Sequence, residues 1–217
     1  MRIEWVNKKG DEVVVVFFNG WGMDTRATSH LENHADLLVL YDYRTLNTEE
    51  LPSLEHYKKV FVIAWSMGVW AAAQILPEWN INPSRLIALN GTECPVDDRF
   101  GIPEKMYVLT ENGMDERGKE KFFQRMLSGR EERTRFSENQ SGRELPEQVE
   151  ELKAIHTASC SRHQCLNWDK VFISEKDVIF PAGNQHNWWE GKAPVKSLAC
   201  GHYPFYCFRS WEDIIEA

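Results

Sequence analysis

The most constraining feature of this sequence is a serine placed between an apolar run and a stretch of small residues. Residues 60–64 read Val-Phe-Val-Ile-Ala, which predicts a strand that is buried on both faces. Residues 67–76 are rich in alanine and end before a proline, which predicts a helix. Ser66 therefore lies in a tight turn between a buried strand and a helix.

This strand–turn–helix arrangement is typical of the nucleophile elbow of α/β-hydrolases, where the nucleophile stands clear of the backbone on a strained turn. The residues two positions before and after the nucleophile crowd each other, so both must be small. Ala64 and Gly68 meet this requirement, with Ala64 in place of the more usual glycine. The helix N-terminus also favours negative charge that develops at the serine. We predict that Ser66 is a nucleophile rather than a buried serine in an ordinary turn.

Further apolar runs alternate with helix-like stretches and predict an α/β fold around a mostly parallel sheet, with helices on both faces. The segment Ile3–Val6 is expected to form an antiparallel hairpin with the strand Val13–Phe18. A short helix is expected at Trp211–Glu216. The remaining predicted strands are Leu37–Tyr41, Arg85–Leu89, Met106–Thr110, Lys170–Ser174 and Val195–Ala199.

One long segment interrupts the alternation. Polar helices are expected at Glu116–Leu127 and Pro146–Thr157, joined by the charged, glycine-containing stretch Ser128–Glu144. Residues 116–145 carry eight basic and six acidic side chains, although the whole chain of 217 residues has a net charge of −8. We predict an α/β-hydrolase core over residues 1–111 and 168–217, with residues 112–167 inserted as a helical cap.

The loop after Val13–Phe18 predicts an oxyanion hole. In α/β-hydrolases one donor is a backbone N–H of such a loop, and the other is the N–H of the residue after the nucleophile. Here these residues are Trp21, which lies between Gly20 and Gly22, and Met67. A phosphate-binding loop is the alternative, but the G-x-G-x-x-G pattern and the Walker lysine are both missing.

A catalytic base and acid are expected after the nucleophile, in the order acid and then histidine. His202 follows the last predicted strand, and Asp177 follows the strand before it. A neutral histidine is suited to take the serine proton, and a carboxylate orients the imidazole. Three other carboxylates stay open as the acid, namely Glu175, Glu111 and Asp115.

Composition and spacing exclude several classes of function. The acidic net charge disfavours a nucleic-acid partner. The longest apolar run has six residues and is too short to span a membrane. Cys160 and Cys165 have a C-x4-C spacing that zinc sites do not normally use, so no metal or cofactor is expected. Five irregularly spaced cysteines and an N-terminus without a signal-peptide pattern predict a cytoplasmic protein.

Four motifs together resemble one family. The loop Phe18–Met23, the elbow Ala64–Gly68, Asp177 and the segment Gly201–Phe205 are similar to those of the α/β-hydrolase-fold esterases of biotin synthesis, in particular the short BioG-type branch. The loop Asn-Gly-Trp-Gly-Met is the most specific of these, since many hydrolases share the elbow and the histidine loop. The similarity covers most of the predicted core but not the insertion.

The resemblance implies hydrolysis of the methyl ester of pimeloyl-acyl-carrier protein. It implies Ser66, Asp177 and His202 as the catalytic triad, and basic residues of the cap as contacts for the acidic carrier protein. Arg117 and Arg125 are of the right type for these contacts, while Trp21 and Trp65 are expected to shape an apolar acyl channel. The alternatives are a less selective esterase or thioesterase and, more remotely, a non-catalytic binding protein of the same fold.

Overall fold

The computed structural model describes residues 1–159 and 165–217 of the chain. Cys160, which belongs to the C-x4-C pair, lies outside the described residues. Seven strands form one sheet in the order β1-β3-β2-β4-β5-β6-β7. Every pairing in the sheet is parallel except that of β1 with β3. The strands are β1 Arg2–Asn7, β2 Val13–Phe18, β3 Asp36–Tyr41, β4 Lys59–Trp65, β5 Arg85–Leu89, β6 Lys170–Ser174 and β7 Val195–Leu198.

Seven α-helices connect or follow these strands in the described part of the chain. The predicted helices at 67–76, 116–127, 146–157 and 211–216 are confirmed to within two residues at each end. Three helices were not predicted: α2, where a strand was expected, α4 in the charged stretch and α6 ahead of β7. The helices are α1 Met67–Ile75, α2 Glu104–Asn112, α3 Glu116–Met126, α4 Arg130–Asn139, α5 Leu145–Ser159, α6 Ala182–Trp189 and α7 Trp211–Glu216.

Two strand predictions are wrong. The first strand pairs with β3 instead of forming a hairpin with β2. Both edges of β2 are occupied by β3 and β4, because β2 is an interior strand of the parallel sheet. The segment Met106–Thr110 is part of helix α2, which begins after Pro103. Its apolar side chains Met106 and Tyr107 recur with Pro103 and Thr110 at the three- and four-residue spacing of a helix, and all four line one cavity.

Among the described residues between β5 and β6 there are four helices, α2 to α5. Three of them fall inside the predicted insertion 112–167, whereas α2 falls almost entirely within the segment that we assigned to the core. Helix α4 forms in the charged stretch because Phe136 provides an apolar anchor that is only 1% exposed. Its ring packs against Phe123 of α3 and against Tyr203, with centroid distances of 5.7 and 5.0 Å.

The parallel strands bring the candidate functional residues to one edge of the sheet. The carboxyl ends of β2, β4, β6 and β7 lead into the loops that contain Trp21, Ser66, Asp177 and His202. Because β2 and β4 pair in register, Phe18 lies opposite Ala64 and their following loops are neighbours. None of the helices in the described part of the chain has the length and apolar character that crossing a bilayer requires. The cytoplasmic location stays a prediction.

Candidate active site

Ser66 occupies a strained turn between β4 and α1. Its backbone has φ 57° and ψ −124°, a region that residues with a side chain rarely adopt. The crowding around this turn explains Gly68, because a Cβ atom there would lie 2.2 Å from the carbonyl oxygen of Phe18. Gly91 is required for a similar reason, since its Cβ atom would lie 2.3 Å from the carbonyl oxygen of Ser66. The strain and the close packing together hold the serine in one position.

Ser66, His202 and Asp177 form a hydrogen-bonded chain. The Oγ atom of Ser66 lies 2.8 Å from Nε2 of His202, and Nδ1 of His202 lies 2.8 Å from Oδ2 of Asp177. The three residues are 5%, 1% and 5% exposed, respectively. This arrangement connects a serine hydroxyl through an imidazole to a carboxylate, which is the geometry by which a serine loses its proton to a base.

The carboxylate of Asp177 is held by further donors. Its Oδ1 atom accepts the backbone N–H groups of Ile179 and Phe180, both at 2.9 Å. Its Oδ2 atom accepts the side-chain amide of Gln185 at 3.0 Å, in addition to His202. Gln185 is fully buried on α6, which begins directly after this loop. The sequence gives little signal for Gln185, because a single glutamine in a polar stretch is usually solvent-exposed.

The loop that carries His202 is held by hydrogen bonds from the ends of β4 and β5. The backbone carbonyl of His202 accepts Nε1 of Trp65 and Nδ2 of Asn90, both at 2.9 Å. Asn90 lies directly after β5 with a positive φ of 46°, and its Oδ1 atom accepts the backbone N–H of Ser174 at 2.7 Å. A buried asparagine at the carboxyl end of a central strand is a signal that we did not use.

The three alternative acids have other partners in the described residues. Glu175 contacts His186 at 3.2 Å, and Glu111 contacts His156 at 2.8 Å. Asp115 caps α3 by accepting the backbone N–H of Gly118 at 2.7 Å. The structure thus brings Asp177, and none of these three, to the imidazole of His202.

Trp21 and Met67 both line the cavity at Ser66 and are 4% and 3% exposed. Within residues 1–159 and 165–217, neither backbone N–H has a protein acceptor. Two unused amide donors beside a serine hydroxyl are suited to bind an oxyanion.

The cavity has a volume of about 180 Å³ and a mainly apolar wall. Trp65 belongs to this wall, and its ring lies 5.5 Å from the ring of His202. Arg125 also lines the cavity and donates to the carbonyl oxygen of Val178 at 3.2 Å. Arg117 does not reach the cavity and lines a separate cleft between α3 and α4. The remaining wall consists mostly of Ile102, Pro103, Met106, Tyr107, Phe122, Met126, Leu152 and Ile179.

Comparisons with known proteins agree with this geometry. The family model described as "Pimeloyl-ACP methyl esterase BioG" matches residues 1–214. The crystal structure of BioG from Haemophilus influenzae superposes with a TM-score of 0.90 at 31% identity, covering 99% of both chains. An esterase from Exiguobacterium antarcticum is similar in fold alone, with a TM-score of 0.67 at 15% identity over 94% of this chain and 88% of that one.

A curated relative is longer than this chain. The malonyl-[acyl-carrier protein] O-methyltransferase of Bacteroides fragilis is 40% identical over 178 residues, which is 81% of this chain but only 36% of that protein. The family model, by contrast, spans nearly the whole chain, and the sheet order and the cavity edge agree with an α/β-hydrolase fold. The chain therefore belongs to the BioG family of pimeloyl-ACP methyl esterases.

Proposed function

We propose that this chain is a serine carboxylesterase that hydrolyses the methyl ester of pimeloyl-acyl-carrier protein to the free acid and methanol. The observation that best supports the proposal is the 2.8 Å contact of Ser66 Oγ with His202 at the wall of an apolar cavity. A neutral methyl ester and an alkyl chain suit such a wall, because burying them removes no charge from water. Arg125 is the only Lys, Arg, Asp or Glu side chain among the described residues that line the cavity.

The proposed reaction has two halves. Nε2 of His202 takes the proton of Ser66 as Oγ attacks the ester carbonyl, and Asp177 stabilises the imidazolium. The backbone N–H groups of Trp21 and Met67 bind the oxyanion. The bond to the methoxy oxygen then breaks, and His202 gives its proton to the departing methanol.

The second half releases the acid. His202 takes a proton from a water molecule as that water attacks the acyl-enzyme, and the proton returns to Ser66 when the bond to Oγ breaks. The product is a carboxylic acid that ionises at neutral pH, and an apolar wall favours its departure. No cofactor takes part in these steps.

The carrier protein is the proposed partner, and residues 112–167 are proposed to act as the cap that meets it. The support is the excess of basic over acidic side chains in residues 116–145, which contrasts with the acidic chain as a whole. The name of the Bacteroides fragilis relative refers to methyl transfer onto a malonyl-carrier protein. Methyl esters of carrier-linked acyl groups are the class of substrate that such a reaction supplies.

The test measures methanol release from pimeloyl-carrier methyl ester by the purified protein and by Ser66→Ala. We expect the substitution to lower kcat by roughly 10⁴- to 10⁶-fold, since the hydroxyl is the nucleophile. Ser137→Ala is the matched control, because Ser137 is an exposed residue of α4. Hydrolysis of the ester by Ser66→Ala at a near-native rate would exclude the mechanism.

Selectivity is tested separately. A less selective esterase or thioesterase would cleave p-nitrophenyl esters or the thioester as efficiently as the carrier-linked methyl ester. A non-catalytic binding protein would not be labelled at Ser66 by a fluorophosphonate. In cells, the gene is expected to restore growth of a biotin-requiring strain that lacks its methyl esterase, whereas the Ser66→Ala gene is not. Failure of the wild-type gene to do so, despite folded expression, would refute the role in biotin synthesis.

A further inference from the structure

Helix α5 contacts the loop after β2, here called the oxyanion loop (residues 19–24). The side-chain Nε1 of Trp21 donates to the backbone carbonyl of Gln148 at 2.8 Å. The backbone N–H of Gly22 donates to Oε2 of Glu151 at 3.1 Å. The second contact is unusual, because a charged side chain from the helical insertion replaces the backbone acceptor that a loop amide normally finds.

Glu151 belongs to a buried ion pair. It is 0% exposed, and its Oε2 atom lies 2.6 Å from Nη1 of Arg143, whose side chain is 2% exposed. Its Oε1 atom accepts the backbone N–H of Tyr43 at 2.9 Å. Burial raises the pKa of Glu151, and the Arg143 guanidinium acts in the opposite direction. Arg143 also lies 3.0 Å from Asp42, so the two charges are embedded in a network.

Three successive backbone N–H groups of the oxyanion loop differ in their hydrogen-bond acceptors. The N–H of Gly20 donates to Oδ1 of Asn19 at 2.8 Å, and that of Gly22 donates to Glu151. The N–H of Trp21, between them, has no acceptor in the described residues and lies at the cavity. Gly22 has a φ of 73°, a left-handed conformation that glycine adopts without steric cost. The two outer hydrogen bonds thus hold the backbone on both sides of the Trp21 N–H.

We propose that Glu151, held by Arg143, is a positioning residue that aims the Trp21 N–H at the oxyanion through its hydrogen bond to Gly22. The inference rests on the proposed function, in which Trp21 is an oxyanion donor. Glu151 does not line the cavity, so we expect it to make no contact with the ester. Its loss is therefore expected to weaken binding of the transition state more than binding of the ester.

The primary test is Glu151→Gln, assayed with a p-nitrophenyl ester so that no carrier protein is needed. The amide keeps the shape of the side chain but has one oxygen for the two N–H groups of Gly22 and Tyr43. We expect kcat to fall by up to about 10²-fold, the lower end of the loss that follows removal of an oxyanion donor, with KM unchanged. Glu150→Gln is the matched control, because the carboxylate of Glu150 is next to Glu151 in the chain but is 65% exposed and pairs with Arg44.

A second readout separates positioning from general stability. A trifluoromethyl ketone forms a tetrahedral oxyanion adduct on the nucleophile, so its inhibition constant should rise by the same factor as kcat falls. Loss of folded protein alone lowers the concentration of active sites, counted by fluorophosphonate labelling, and leaves this constant unchanged. A fall in kcat without a weaker trifluoromethyl ketone would overturn the proposal, as would wild-type kcat per labelled site.

A double variant serves if Glu151→Gln folds poorly. Arg143→Met with Glu151→Met removes both members of the buried pair, which is often tolerated. Asp42 loses Arg143 but keeps its contact with Arg44 at 2.7 Å. Gly22 still lacks its acceptor. We expect a folded protein with low kcat and weak inhibition, and wild-type kinetics would refute the role of Glu151. Ser66→Ala distinguishes the two proposals. If Ser66→Ala stays active, the proposed function fails. If Ser66→Ala is inactive but the wild-type protein hydrolyses p-nitrophenyl esters without a carrier, the specific substrate is wrong and the role of Glu151 can still be tested with those esters.

Discussion

The cavity has two walls that differ in chemistry. The wall from the sheet edge carries Ser66 and His202, with Asp177 behind them, in one chain of 2.8 Å hydrogen bonds. The opposite wall comes from α2, α3 and α5 and is almost entirely apolar, with side chains such as Phe122 and Leu152. We therefore expect bond cleavage to depend on the first wall, here called the catalytic wall, and selection of the acyl group to depend on the second, the helical wall. Substitutions in the first wall should change kcat, and those in the second should change KM.

The helical wall is itself divided. Leu152 on α5 is 3% exposed, whereas Met106 on α2 is 40% exposed. Helix α5 is fixed by the buried pair of Glu151 with Arg143, whereas α3 and α4 each bury only two residues. We therefore expect α5 to stay fixed together with the catalytic wall, and α3 to adapt more readily to a substrate.

The largest effect is expected from a substitution behind the catalytic wall, at Asp177. In Asp177→Asn, the amide cannot stabilise the imidazolium, and we expect kcat to fall by about 10⁴-fold, as in other triads in which the acid becomes an amide. Steady-state kinetics with a p-nitrophenyl ester provides the measurement. Glu175→Gln is the matched control, since Glu175 contacts His186 and Ser197 instead. An equal loss in Glu175→Gln would show that the acid has been assigned to the wrong residue.

A smaller effect is expected at α3, which carries Arg117 and Arg125. We expect Arg125→Ala and Arg117→Ala each to raise KM for the carrier-linked ester by about 2- to 5-fold, the equivalent of roughly 0.5–1 kcal/mol for an exposed charge. The rise should shrink at high salt, because salt screens exposed charges. With a p-nitrophenyl ester, Arg117→Ala should have no effect, since Arg117 lies outside the cavity.

Lys58→Ala controls for the loss of a positive charge in general. Lys58 precedes β4, at the end of the strand opposite Ser66, and pairs with Glu12. It should leave KM unchanged for both substrates. If Arg117→Ala resembles Lys58→Ala with the carrier-linked ester, the carrier does not meet the cleft between α3 and α4.

The smallest effect concerns the contact of α2 with α5. Burial by itself lowers the pKa of His156, but hydrogen bonds to Glu111 and Glu104 raise it above its ordinary value of 6.5. A pKa raised on folding means that this ion pair stabilises the protein fully below about pH 6.5 and loses the contribution as pH rises through the folded value. We expect His156→Gln to lower Tm by about 2–4 °C at pH 6, for a loss of roughly 1 kcal/mol, and by less at pH 9.

Calorimetry of His156→Gln at both values of pH gives the measurement. His34→Gln is the control, because His34 is 74% exposed at its pair with Glu212. A larger destabilisation at pH 9 than at pH 6 would contradict the sign of the pKa shift.

The sequence predicted most of the catalytic wall because its signals are local. The elbow needs only one strand, one turn and one helix, and Ala64 and Gly68 are within two residues of Ser66. The helical wall was harder to predict. The segment Met106–Thr110 of α2 resembles a strand when it is considered without the residues around it. Helix α4 was missed because its one buried apolar side chain, that of Phe136, packs against Phe123 and Tyr203 rather than against neighbours in the chain.

The sequence by itself determined the fold class and predicted the type of reaction that we propose, because small residues around Ser66 and loops after successive strands are local features with few alternatives. Only the tertiary structure decided that Asp177, among four candidate carboxylates, meets His202, and that Arg117 lies apart from the cavity. It also decided the place of Glu151, which binds Gly22 across 129 positions of the chain. A hydrogen bond of that kind depends on how the helices pack, and no local pattern encodes it.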